Sequence, residues 1–155
     1  MVNDFNNHQK FLDLAHKEAI KAFKKNEVPI GAVIVKDGKV IAKAHNNREK
    51  TQKFYGHAEF IAMKKANKKL NSWRLEDCDL YVTLEPCAMC AGAIIEARIK
   101  NVYFTTYDLK TGASGSIIDL FGFNLGYKVN VIKLDDDNRS QNLIKEFFKK
   151  IRNKN

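Results

Sequence analysis

The stretch "DLYVTLEPCAMCAGAIIEARIKNVYF", Asp79 to Phe104, runs strand, turn, helix and strand in immediate succession. "DLYVTLE" is a compact apolar run that stops at Pro86, which has no N–H to donate to a ladder. Ala88 to Ile99 is alanine-rich and predicts a helix, and "NVYFTT" predicts a second strand. The unit is a strand and crossover helix feeding the next strand, and two cysteines sit at its turn.

Working outward, "PIGAVIVKDGKVIAKAHN" places two β-branched runs around Asp37 and Gly38, a pair that tolerates the positive φ of a two-residue hairpin turn. Gln9 to Lys25 carries Phe11, Leu14 or Ala15, Ala19, Ala22 and Phe23 at the spacing of an amphipathic helix. Phe60, Ile61, Met63, Ala66 and Leu70 predict a helix from His57 to Leu70. "VNVIKL" predicts a weaker strand, and Leu143, Ile144, Phe147, Phe148 and Ile151 mark a last helix over Asn142 to Ile151. The order predicts an α/β fold of three layers, α/β/α, with a mixed central sheet of about five strands covered by helices on both faces.

The chain has 155 residues, 45% of them apolar, which suits a single domain over 1–155. Hydrophobic stretches fall short of the ~20 residues of a membrane span, and the amino-terminal region lacks the apolar core of a signal peptide. The expectation is a cytoplasmic protein without membrane contact. Three cysteines, two of them close together, do not make a secreted disulfide scaffold. A net charge of +9 favours a polyanionic partner through counterion release, although the dominance of lysine over arginine also fits an AT-rich coding bias.

Upstream of the cysteines, "YGHAEF" supplies His57 and Glu59 at a helix start, so the chain carries HxE followed downstream by PCxxC at Pro86, Cys87 and Cys90. One imidazole and two thiolates suit tetrahedral zinc and leave the fourth position to solvent, the donor count of a catalytic site. A structural zinc knuckle needs a fourth donor, and Cys78, His45, His16 and His8 stand in no such motif. A redox dithiol also places CxxC at a helix start, but leaves His57 and Glu59 without a role. Both ligand loops precede helices, whose free N–H groups favour thiolate, so Cys87 is expected as the anion. Zinc lowers the pKa of water from about 15.7 toward roughly 7, and Glu59 is the general acid and base. HxE with PCxxC is the arrangement of zinc nucleobase deaminases.

With "NEVPIGAVIVKDG", "HNNRE", "HAE", "SWRLEDCDLYVTLEPCAMCAGAIIEARIKNVYF" and "DLKTGASGS", the chain resembles the bacterial tRNA-specific adenosine deaminase family, in order from Val28 to Leu120. The resemblance implies a cytidine-deaminase-like fold and hydrolysis of adenosine to inosine at the wobble position of a tRNA anticodon, usually an arginine tRNA. It implies one zinc per subunit, a homodimer and an anticodon stem-loop as partner. At matching positions it implies His57, Cys87 and Cys90 as zinc ligands, Glu59 as proton shuttle and Asn46 as a hydrogen-bonding partner of the inserted base. Val28 and Pro29 would form the pocket edge, and Asp108, Lys110 and Thr111 the loop that approaches the anticodon. Guanine deaminases are the nearest competitor by their CxMC pattern. A single-stranded loop suits this chemistry because its bases splay out at lower cost than bases of a duplex.

Two segments depart from the family's habit: Phe54, Tyr55 and Gly56 before the HxE motif, and Gly126, Tyr127 and Lys128 later on. These put the range of accepted tRNAs in question, not the reaction. Asn46 and Asp108 also read as turn residues, and Lys110 as a solvated one. Cys78, Met63, Met89 and Trp73 are expected to pack, and His8 and His16 to lie on the surface. The lysines from Lys145 to Lys154, with Arg152, make either a solvated helix face or a contact to the tRNA backbone.

Overall fold

Asp37 and Gly38 take φ angles of 52° and 75° and close a two-residue turn between β1 (Gly31–Lys36) and β2 (Lys39–His45). The computed structural model describes residues 4–154. Before the hairpin runs α1 (Asp4–Lys24). After it come α2 (Arg48–Thr51), α3 (Ala58–Leu70), β3 (Cys78–Val82), α4 (Ala88–Ala97), β4 (Asn101–Phe104), β5 (Asn130–Lys133) and α5 (Arg139–Arg152).

The five strands lie in the order β2-β1-β3-β4-β5. β1 pairs antiparallel with β2 and β3, whereas β3 pairs parallel with β4, and β4 with β5. The mixed sheet expected from the sequence is therefore present. β3, α4 and β4 form its crossover unit, which brings the turn holding Cys87 to the carboxyl end of β3.

Alternation along the strands divides the core in two. Val33, Val35, Tyr81 and Tyr103 face α1, where they meet Phe11, Leu12 and Ala15. Ala32, Ile34, Leu80, Val82, Val102 and Phe104 face the other way, onto Ala62, Met63 and Ala66 of α3 and Ile94 and Ile95 of α4. Each large aliphatic side chain so buried contributes about 1.5–3 kcal/mol. α4 ends where Arg98 turns left-handed at φ 62°, and Ala97 O accepts the Leu75 N–H at 2.7 Å, locking the helix to the approach to β3.

Several expectations shift. α2, four residues long, is too short to show a period in the sequence. α5 begins at Arg139 instead of Asn142. His8 and His16 are half-buried, not surface groups: His8 lies against Tyr103, with ring centroids 4.5 Å apart, and its Nδ1 is 2.6 Å from the Tyr81 hydroxyl. Cys78 and Met63 are buried as expected and Met89 partly so. Trp73 is 56% exposed, flanked by Arg74 and Arg98 with their guanidinium carbons 5.0 and 5.5 Å from its ring centroid.

Candidate active site

His57 is the N-cap residue of α3 and Cys87 that of α4, so both side chains leave the chain where helical N–H groups lack an intrahelical partner. Cys90 lies in the first turn of α4 and is fully buried. The Nδ1 atom of His57 is 3.6 Å from the Sγ of Cys87 and 3.6 Å from that of Cys90. The three donor atoms all lie within 4.8 Å of one another, and among the described residues no fourth His, Cys, Asp or Glu joins them.

These distances test whether zinc fits. Bonds of about 2.0–2.1 Å to nitrogen and 2.3 Å to sulfur, opened to a tetrahedral angle, span an N···S edge of about 3.6 Å. The observed separations match that edge, and the donors are the borderline-to-soft set zinc prefers. Without a cation the Cys87 thiol is lowered to about 4, chiefly by its hydrogen bond with Cys90 and then by that with His57, against the effect of burial. Sharing that bond with Cys87, together with burial, pushes Cys90 far up, so the pair retains one proton, which a divalent cation would displace. His57 is raised by its hydrogen bond to Cys87.

Glu59 follows His57 by two residues, in the first turn of α3, and is 4% exposed. Burial raises its carboxyl to about 7, so it can carry or release a proton near neutrality. It opens on a cavity of about 620 Å³ that His57 and Cys87 also line. The cavity lies where β3 and β4 end and β1 begins, at the carboxyl edge of the parallel strands.

Most residues singled out in the sequence meet there. Val28, Asn46, Asp108, Lys110 and Thr111 line the cavity, whereas Pro29 is buried between Val28 and Ile30 and does not line it. Asn46 is 7% exposed, and its Oδ1 accepts the Ala58 N–H at 2.8 Å. A backbone N–H requires an oxygen opposite it, so the carbamoyl NH2 remains the donor that Asn46 can offer a ligand. Asp108 serves its own turn: Oδ1 accepts the N–H groups of Lys110 and Thr111 at 3.0 and 3.1 Å, and Oδ2 accepts the Thr111 hydroxyl at 2.8 Å. The turn reading of Asp108 therefore holds, and the residue also lines the cavity.

Sequence reasoning missed three contributors. Glu27, 3% exposed, accepts the N–H groups of Glu49 and Lys50 at 3.0 and 2.8 Å and fixes α2 beside the cavity. Glu85, 2% exposed, anchors the loop that follows β4. Ile144 and Phe148 bring α5 to the rim, beside Lys145, which the sequence already offers as a contact to the tRNA backbone. No local pattern in "NEVPI" or "VTLEP" marks either acid, because the N–H groups they accept lie in distant segments.

Fold and donor set together define a hydrolytic deaminase, and residues 6–152 match the MafB19-like deaminases. The tRNA-specific adenosine deaminase of Aquifex aeolicus is 44% identical over 146 residues, covering 92% of this chain and 95% of that protein. A solved structure from a study of A-to-I editing by tRNA:A34 deaminases at the wobble position of transfer RNA is 41% identical, with a TM-score of 0.79 over 81% of this chain and 98% of that one. Guanine deaminase from Bacillus subtilis is 32% identical, with a TM-score of 0.64 over 94% of both chains. The chain belongs to the family of tRNA-specific adenosine deaminases.

Proposed function

We propose that this chain is a zinc-dependent enzyme that hydrolyses adenosine to inosine at the wobble position of a tRNA anticodon, with water consumed and ammonia released. The observation that carries the reading is Glu59, buried and held up to about 7, in the wall of the cavity that His57 and Cys87 share. His57, Cys87 and Cys90 would hold zinc, one ion per subunit. When bound, zinc supplies the Lewis acidity that makes water a competent nucleophile near neutral pH. Glu59 takes the proton of the attacking water and returns it to the exocyclic nitrogen that leaves. The Asn46 NH2 group donates to the inserted base, Val28 shapes its edge with Pro29 packed behind it, and Asp108, Lys110 and Thr111 meet the neighbouring nucleotides.

The rim supports RNA in preference to a free base. Arg48, Lys110 and Lys145 put positive charge around the opening, and exposed Tyr107 and Phe148 offer rings for stacking. A cytoplasmic setting and an arginine tRNA follow from the same reading, and no described helix is long and apolar enough to cross a membrane. A homodimer belongs to the same reading.

The test offers the zinc-loaded protein an anticodon stem-loop with adenosine at the wobble position, beside free adenosine and guanine. Inosine in the stem-loop is the expected product. Turnover of guanine alone would replace this reading with that of a guanine deaminase.

A further inference from the structure

Glu85 is a buried carboxylate that neither the donor group nor the proton transfer uses. Its oxygens accept four hydrogen bonds, all from one loop. Oε1 takes the Asp108 N–H at 3.1 Å and the Ser116 hydroxyl, and Oε2 takes the N–H groups of Ser114 and Ser116 at 2.9 and 3.1 Å. A carboxylate offers about four lone-pair sites, so Glu85 is saturated. It has no acceptor left for a metal or a reacting proton, and the same saturation is what makes an anion tolerable at that depth.

The loop wraps this anion. The Glu85 N–H donates to Thr106 O at 2.8 Å at the loop's entrance, and Pro86 O accepts the Ala113 N–H at 2.9 Å farther along. At Gly112 a Cβ would fall on the Glu85 carboxylate and on the Asp108 carbonyl, so only glycine lets the chain close this tightly. Between the anchored points, Leu109, Lys110 and Thr111 stay exposed and line the cavity. The loop's shape is thus dictated by one side chain that stands two residues before Cys87.

We propose that Glu85 is a positioning residue for the substrate: it fixes residues 108–116 as the wall that receives the nucleotides beside the reacting base, and so governs binding while leaving the chemical step alone. This rests on the wobble-adenosine reading above. The alternative is a carboxylate that only supports the fold or the ligand turn.

Glu85→Gln decides between them, because its NH2 group must confront N–H donors that now meet an oxygen. Four quantities are measured on the full chain: zinc content, amide hydrogen exchange, the Kd of the wobble-adenosine stem-loop, and kcat and KM for inosine formation. The expected result is unchanged zinc, faster exchange at Asp108, Ser114 and Ser116, Kd and KM raised at least about tenfold, and kcat within roughly threefold of the parent. Ser116→Ala removes one donor without touching Glu85 and should raise Kd about two- to threefold. The proposal is overturned if Glu85→Gln frees the amides yet binds the stem-loop like the parent, or if it lowers kcat at constant KM. Should Glu85→Gln fail to fold, parent-like binding by Ser116→Ala overturns it and the weaker Kd sustains it. A parent protein that binds the stem-loop without forming inosine would remove the deaminase reading, and weaker binding by Glu85→Gln would still sustain this one.

Discussion

Asn46 Oδ1 and the Ala58 N–H, 2.8 Å apart, join the end of β2 to the first turn of α3, beside the His57 and Glu59 that the helix carries. One end of the amide thus builds the site, and on the reading proposed above the other donates to the base. Asn46→Asp keeps an oxygen opposite Ala58 and removes the NH2 donor. It should preserve stability to within about 1 kcal/mol while lowering inosine formation at least about tenfold. Asn46→Ala should lose both. Urea midpoints measured beside turnover separate the two roles, and full activity in Asn46→Asp would remove the amide from base recognition.

Glu59→Gln is close to isosteric but cannot shuttle a proton. Inosine formation should fall by ~10²–10⁴, with zinc content and stem-loop affinity retained. A Gln variant that turns over at the parent rate would dismiss Glu59 as acid and base.

Removal of the metal should be felt by the fold as well as the reaction, because His57 and Cys87 cap different helices. Chelation should lower the thermal midpoint on the order of 10 °C, and Zn²⁺ should restore it while Mg²⁺ does not. Calorimetry on the chelated and reloaded protein checks this, and an unmoved midpoint would sever the site from the stability of the two helices.

His16 supplies a pH dependence away from the metal donors. Its Nδ1 is buried without a hydrogen-bond partner, and burial lowers its pKa from the ordinary 6.5, assisted by Arg139 and opposed by Asp136 and Asp13. Folding therefore favours neutral His16. Below about pH 6.5 the unfolded chain takes up a proton that the folded one refuses, so this group subtracts stability as pH falls. His16→Gln should flatten that loss. Denaturation midpoints of the two proteins between pH 7 and 5 should diverge toward acid, and parallel curves would dismiss the residue as a source of acid sensitivity.

The hairpin and the β3-α4-β4 unit were legible because Asp37-Gly38, Pro86 and the alternating strand residues each report a local constraint. That His57, Cys87 and Cys90 come together, with Glu59 in the same cavity wall, was legible because metal chemistry ties residue type to spacing. His8 was misread for a reason of period. α1 starts before Gln9, and His8 precedes Phe11, Leu12, Ala15 and Ala19 on one helical stripe. Glu85 and Phe148 were illegible as site residues because their partners come from distant segments, and only tertiary contact brings Ser116 to one and the cavity to the other.

Trp73 is the chain's single tryptophan, and it stands at the α3/α4 groove instead of in either core. Indole emission therefore samples the wetness of an outer surface and gives a poor measure of whether the interior has collapsed. A second copy packed on this groove, in the proposed homodimer, would shift that emission and make assembly optically readable without a label.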